Sequence, residues 1–187
     1  MRKRKAIQET EQSAVDEPKL PEFTGKIRYT LTNDYMFKVC LQENQEALKN
    51  LVAALMQIPV ETIASLEIRN SIIPGESMNE KTVIFDIRMR LNNSTSVDLE
   101  MQVENLGNWP ERSMYYLCRE YAGIDKNHDY SDAMKTVQVG ILNFTPTDFP
   151  QKLFSNYYFR EDESGHLYSD KLNIRMVNLN QLGKPAD

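Results

Sequence analysis

The sequence predicts an α/β fold, because helical and strand-like patterns alternate along it. Apolar residues recur at helical spacing from residue 36 to 56 and again from 109 to 121, whereas strict two-residue alternation runs through 97–103. A mostly apolar run at 136–144 then has the character of a central strand covered on both faces.

Residues 1–22 are charged, lack periodic apolar spacing and contain Pro18 and Pro21, so they read as a flexible tail ahead of one domain over 23–187. Thr32 or Asn33 caps a first helix carrying Met36, Phe37, Val39, Cys40 and Leu41. Ala47, Leu48, Leu51, Val52, Leu55 and Met56 make one stripe of a second helix, which Pro59 ends. Residues 62–73 are strand-like, with Ile63, Leu66, Ile68 and Ile72 apolar, and Pro74-Gly75 turns the chain into a hairpin. After the hairpin, Asn108-Trp109-Pro110 opens a helix whose expected buried face is Met114, Leu117, Cys118 and Tyr121. Aromatic Phe154, Tyr157, Tyr158 and Phe159, and then residues 172–179, give two more strands around the turn Glu161-Asp162-Glu163-Ser164-Gly165. The chain stops soon after, without a closing element, as a C-terminally truncated domain would.

The hairpin carries the chemistry. Val97-Asp98-Leu99-Glu100-Met101-Gln102-Val103 puts Asp98, Glu100 and Gln102 on one face, and residues 83–91 put Asp86, Arg88 and Arg90 on one face. Asn92-Asn93-Ser94-Thr95 turns the chain between them. Two antiparallel registers match the polar sets. One closes at Arg90 and Ser96 and sets Asp86 across from Glu100; the other closes at Asn92 and Ser96 and sets Asp86 across from Gln102. In either, the two carboxylates lie roughly 5 to 7 Å apart at Cβ, a spacing that suits one divalent cation.

Composition narrows the class. A chain of 187 residues suits a single domain, and a net charge of −5 argues against non-specific coating of nucleic acid. Cys40 and Cys118 fit no metal or redox spacing, as a reducing, cytoplasmic setting permits. The start Arg2-Lys3-Arg4-Lys5 is followed by no apolar signal segment, and the longest apolar run in the body, 51–56, is far short of the ~20 residues that span a bilayer. A soluble protein with no membrane partner is expected.

One ordered set of residues is specific: Asn33-Asp34-Tyr35-Met36-Phe37-Lys38, then Lys81 with Phe85-Asp86, then Leu99-Glu100-Met101-Gln102, then Arg112-Ser113-Met114-Tyr115-Tyr116. Over residues 32–144 this set resembles the PD-(D/E)XK nuclease family transposases, relatives of the Rpn recombination-promoting nucleases. The resemblance implies a restriction-endonuclease-like core, a mixed central sheet of about four strands flanked by helices, with the extra C-terminal strands appended. It implies a DNA endonuclease of mobile-element origin that works with Mg²⁺ or Mn²⁺. Asp86 and Glu100 match the family's acidic pair, and Gln102 stands where many relatives carry Lys. Metal ligation is expected from Asp86, Glu100 and the Met101 carbonyl, with Asp34 on the first helix as an additional acid. Hard oxygen donors with no His or Cys suit Mg²⁺ or Mn²⁺ better than Zn²⁺. An amide at 102 offers only neutral hydrogen bonds, so a slower site is expected, or one that relies on Lys81, Arg88 or Arg112 for charge. Lys81, Arg88, Arg112 and Tyr116 are the expected DNA contacts.

Plainer readings stand beside these. Asp86 and Glu100 also suit a solvent-facing polar strand surface among Arg88, Arg90 and Asp98, and Asp34 suits the start of a helix on dipole grounds. Arg112, Tyr115 and Tyr116 suit one helix with an exposed Arg and two packed rings. His128 and His166 are expected at the surface. An inactive nuclease fold that binds nucleic acid or a protein is the alternative function. Pairing of two copies as a homodimer stays open, with residues 154–159 as the surface it would use.

Overall fold

The computed structural model describes residues 25–26, 28–75, 77–123 and 128–184. The expected tail at 1–22 and the last residues, 185–187, lie outside the described residues. Helices α1 (Asp34–Glu43) and α2 (Gln45–Met56) lead into strands β1 (Leu66–Ile68), β2 (Ile72–Ile73), β3 (Val83–Ile84), β4 (Ile87–Leu91) and β5 (Thr95–Gln102). Helix α3 (Trp109–Tyr121) then crosses to β6 (Lys135–Leu142), followed by β7 (Phe154–Arg160) and β8 (Leu167–Asn178). The main sheet has six strands in the order β1-β4-β5-β6-β8-β7, and β2 and β3 form a separate pair. β5, β6 and β8 run parallel, while β1, β4 and β7 are antiparallel to their neighbours, so the sheet is mixed. This is the expected α/β architecture, with four strands followed by the C-terminal pair.

The asparagines decide where helices begin. Asn33 Oδ1 accepts the Met36 N–H at 3.1 Å and Asn44 Oδ1 accepts the Ala47 N–H at 2.9 Å, so each meets an amide the first turn leaves unpaired. Phe37, Leu41, Leu48, Val52 and Leu55 then pack on Ile87, Met89, Val97, Leu99, Val137 and Val139, the apolar face of the sheet's centre. α3 covers the opposite face. Trp109 packs with Leu142 and Met176, and Tyr116 with Phe85 and Val83.

Of the two registers open to the hairpin, the structure adopts the one pairing Arg90 with Ser96 and Ile87 with Leu99. Asn92 and Asn93 both take positive φ, 50° and 54°, which asparagine tolerates, and the Ser94 N–H donates to the Leu91 carbonyl at 3.0 Å. Asn92 is also held from outside. Its Oδ1 accepts the Ala64 and Ser65 N–H groups at 2.8 and 3.1 Å, and its Nδ2 donates to the Thr62 carbonyl at 2.8 Å.

Three local expectations are corrected. Residues 62–73 form two strands rather than one, because Asn70 Oδ1 accepts the Ile72 N–H at 3.0 Å and turns the chain between them. Residues 83–91 likewise split, since Val83 and Ile84 pair with β2 while 87–91 joins the main sheet. The buried face of α3 is Trp109, Ser113, Tyr116 and Leu117, whereas Met114 is half exposed and Cys118 exposed. The helix turns polar side chains inward because the strand beneath it is charged.

Gly140 on β6 lets α3 approach. A Cβ there would lie 2.0 Å from Trp109 Cζ2, so the indole occupies the space a side chain would need. Gly140→Val therefore displaces Trp109, and its urea midpoint falls by an amount equivalent to about 1–3 kcal/mol with an unchanged m value.

Candidate active site

β5 brings Asp98 and Glu100 to the sheet face beneath α3, where each is only 1 % exposed. The polar strand face is thus an interior surface, and the solvent-facing alternative is excluded. Asp86, just before β4, is buried beside them. The backbone joins the two acidic residues directly: the Asp86 N–H donates to Glu100 Oε1 at 3.0 Å, and the Met101 N–H donates to Asp86 Oδ2 at 2.8 Å. Asp86 and Glu100 therefore converge on one side of the sheet.

Each carboxylate meets its own cation. Lys38 Nζ lies 3.1 Å from Asp86 Oδ1 and 2.9 Å from Asp34 Oδ1, so α1 supplies an ammonium between two acids. Arg112 donates to Glu100 Oε2 at 2.9 Å, and its guanidinium lies 5.0 Å from the centre of the Tyr116 ring. Tyr116 in turn meets Phe85 edge to face at 5.3 Å. The Tyr116 ring is buried and supports Arg112, and its edge reaches the cleft.

Burial sets the protonation of this group. Desolvation, reinforced by Asp86, pushes the Glu100 carboxyl up to about 7 against the pull of Arg112 and of the Asp86 amide. Desolvation also raises Asp86, with the Met101 amide and Lys38 acting against it. Asp98 is raised well above the usual carboxylate range by burial and by Glu100, Glu120 and Asp86, with the Gln138 side chain acting against it. For Lys38, burial acts downward but the hydrogen bonds and charges of Asp34 and Asp86 outweigh it, and the ammonium persists.

A cleft of about 590 Å³ opens over the pair, lined by Asn33, Asp34, Lys38, Asp86, Met101, Gln102, Glu104, Arg112 and Tyr116, among others. Glu100 lies beneath this lining. Gln102 donates from Nε2 to the Glu104 carbonyl at 3.0 Å, toward the end of its own strand. A second recess, about 440 Å³, shares Arg112 and Tyr116 with the cleft and adds Lys81, Asn108, Glu111 and Tyr115. Asp34, Asp86, Glu100, Met101, Gln102, Arg112 and Tyr116 are thus together, with Lys81 alongside. Arg88 is not with them. Its guanidinium donates to Glu120 Oε2 at 2.7 Å and to the Asn70 carbonyl at 3.0 Å, beside a different cavity of about 190 Å³.

With that geometry, the profile of the PD-(D/E)XK nuclease family transposases matches residues 31–187. The chain belongs to that family. No curated protein and no solved structure matches it. Membership supports a nuclease or transposase-related role, implies a DNA substrate, and places the chain among nucleases that generally use divalent metal ions. Among the described residues, no helix is long and apolar enough to cross a membrane.

Sequence reasoning missed Lys38 as a site residue. Its signal was present, since Asp34 and Lys38 are four apart on a helix, where side chains meet. It also missed Glu120, which takes hydrogen bonds from both Arg88 and Ser96 behind the site.

Two outcomes follow for the metal-free protein. At about pH 8–9, above the range where Glu100 holds its proton, Arg112→Met strands a buried carboxylate and costs about 2–4 kcal/mol in urea unfolding, while the double variant with Glu100→Gln recovers most of the loss. Because the folded protein holds the Glu100 proton up to about pH 7 against 4.5 for the ordinary side chain, stability from this group is complete below pH 4.5. It is lost as the pH rises to 7, with a slope of up to ~1.4 kcal/mol per pH unit. Glu100→Gln flattens that slope in pH-dependent urea titrations, leaving the part of the same sign that Asp86 and Asp98 contribute.

Proposed function

We propose that this protein is a divalent-metal-dependent endonuclease that hydrolyses DNA phosphodiester bonds, in the service of a mobile element and its recombination. The observation that carries this reading is the convergence of Asp86 and Glu100, linked through the Asp86 amide, under a cleft that also presents Lys38, Gln102 and Arg112. No group of three or more His, Cys, Asp or Glu side chains surrounds a common metal position among the described residues. The donors at hand are two carboxylates and the Met101 carbonyl, with Asp34 at the rim, and no His or Cys lines the cleft. Such an all-oxygen set fits Mg²⁺ or Mn²⁺.

Asp86 and Glu100 would hold the ion, which supplies polarisation of the phosphate and acidification of the attacking water. Gln102 orients that water or a phosphate oxygen through neutral hydrogen bonds, and Lys81 and Arg112 meet phosphates along the adjoining recess. A water oxygen bonds to phosphorus as one ester P–O bond breaks. One proton leaves the water, and one is taken up by the departing alkoxide. The two free, widely separated cysteines suit cytoplasmic work.

A specific observation favours a second reading, an inactive nuclease fold that binds DNA or a protein. Both carboxylates already have protein cations, and position 102 lacks a charge. Calorimetry with Mn²⁺ and filter retention of DNA separate the two, because an inactive binder retains DNA without taking up Mn²⁺.

Incubated with supercoiled plasmid and Mg²⁺ or Mn²⁺, the protein produces nicked circles, and Asp86→Ala lowers the rate by ~10²-fold or more. Absence of nicking, or nicking undiminished in Asp86→Ala, overturns the assignment.

A further inference from the structure

Lys38 lines the cleft and is shared between two acids, with Nζ 2.9 Å from Asp34 Oδ1 and 3.1 Å from Asp86 Oδ1. It sits on α1, so its place does not depend on the hairpin that carries the acidic pair. Asp86 Oδ2 is committed to the Met101 N–H, which leaves Oδ1, the oxygen Lys38 covers, as the one facing a cation. The Lys38 side chain is about one-third exposed and lines the cleft, so the ammonium can turn outward without disturbing the core. Asp34 is largely exposed and four residues away on the same helix, and it can hold the ammonium after Asp86 is given up.

We propose that Lys38 occupies the cation position at Asp86 in the metal-free protein, yields it when a divalent ion binds, and then points its ammonium at the scissile phosphate from its tether on Asp34. The side chain thereby supplies the positive charge that an amide at position 102 lacks. This role rests on the nuclease reading for its second half, but not for its first. An ammonium and a divalent ion cannot share one carboxylate oxygen at contact distance without strong repulsion. Gln102 is already turned to the Glu104 carbonyl, so the charge comes from the helix rather than the strand.

The competing-cation half and the phosphate half move in opposite directions on substitution, which a purely structural salt bridge would not do. In Lys38→Met, Mn²⁺ binding by calorimetry becomes at least threefold tighter. The same variant holds a short DNA duplex in Ca²⁺ several-fold more weakly, and nicks plasmid ~10²-fold more slowly in Mg²⁺. Lys38→Arg keeps the charge and keeps Mn²⁺ affinity near that of the parent. Lys38→Met combined with Gln102→Lys returns nicking to within about tenfold of the parent, since it restores an ammonium on the other wall of the cleft. Urea midpoints within the parent's range confirm that each variant is folded. Unchanged or weaker Mn²⁺ binding in Lys38→Met overturns the proposal, as does nicking at the parent's rate. If the parent itself cuts nothing, the nuclease reading falls alone. The comparison of Mn²⁺ affinities still decides Lys38, with tighter binding in Lys38→Met supporting its hold on the cation position and equal binding refuting it.

Discussion

Everything about the site follows from the burial of a row of carboxylates between β5 and α3. Ionised carboxylates lose several kcal/mol each on leaving water, so such a row persists only where cations, amides or protons answer each member. Arg112 answers Glu100, Lys38 answers Asp86, and Arg88 with Ser96 answers Glu120. The helix that covers the row is anchored by packing contacts along its length. Trp109 seats against Gly140 at its start, and Tyr116 packs on Phe85 in its middle. Those anchors place Arg112 and Glu120 over β5 and β4, so packing on one stripe of α3 sets the electrostatics of the other.

Asp98 shows what happens where no cation is supplied. It is as buried as Glu100, and its neighbours Glu100, Glu120 and Asp86 are all acidic, with the Gln138 side chain acting the other way. Burial and these like charges together push its carboxyl well above the usual carboxylate range. Gln138, directly opposite on β6 and equally buried, gives Asp98 a polar neighbour. The site therefore holds three acids in three settings: Glu100 beside Arg112, Asp86 beside Lys38, and Asp98 opposite the neutral amide of Gln138. Only those nearest the cleft, Asp86 and Glu100, have cations on side chains that also reach it.

Most of the fold was legible, and the parts that were not have physical reasons. The alternation through 97–103 and the asparagine pair fixed the hairpin to two registers. The choice between them was made by Asn92 bonding to residues 62–65, a long-range contact that periodicity does not encode. The division of 83–91 was invisible because alternation continues across Phe85 and Asp86 while the strand changes partners. The face of α3 was misjudged because Met114 and Cys118 are apolar and Arg112 and Glu120 are not. Hydrophobicity fails as a guide where the surface being covered is itself charged, and there Met114 and Cys118 turn instead toward Tyr157, Tyr158 and Phe159 around an apolar groove. For the site, the acidic pair and Arg112 could be read from motif order, whereas Arg88 was misplaced. It lies only two positions beyond Asp86 in the chain, yet Glu120 and Asn70 draw its guanidinium to a different cavity.

The arrangement around Gln102 bears on how a nuclease site tolerates change. What a phosphate experiences is a positive charge at a given point, and the chain segment that delivers it is immaterial to the Coulomb energy. A lysine at position 102 would rise from the same strand as Glu100, near Arg112, and would add a third cation close to two acids. Lys38 on α1 instead lies 3.1 Å from Asp86 Oδ1 and carries its own acid, Asp34, one helical turn away. On the proposed role that acid matters, because an ammonium released from Asp86 would keep Asp34 as a partner at the rim of the cleft. On that proposal a helix-borne cation with a built-in tether would stand in for a strand-borne one, while the amide at 102, whose Nε2 donates to the Glu104 carbonyl, contributes neutral hydrogen bonds.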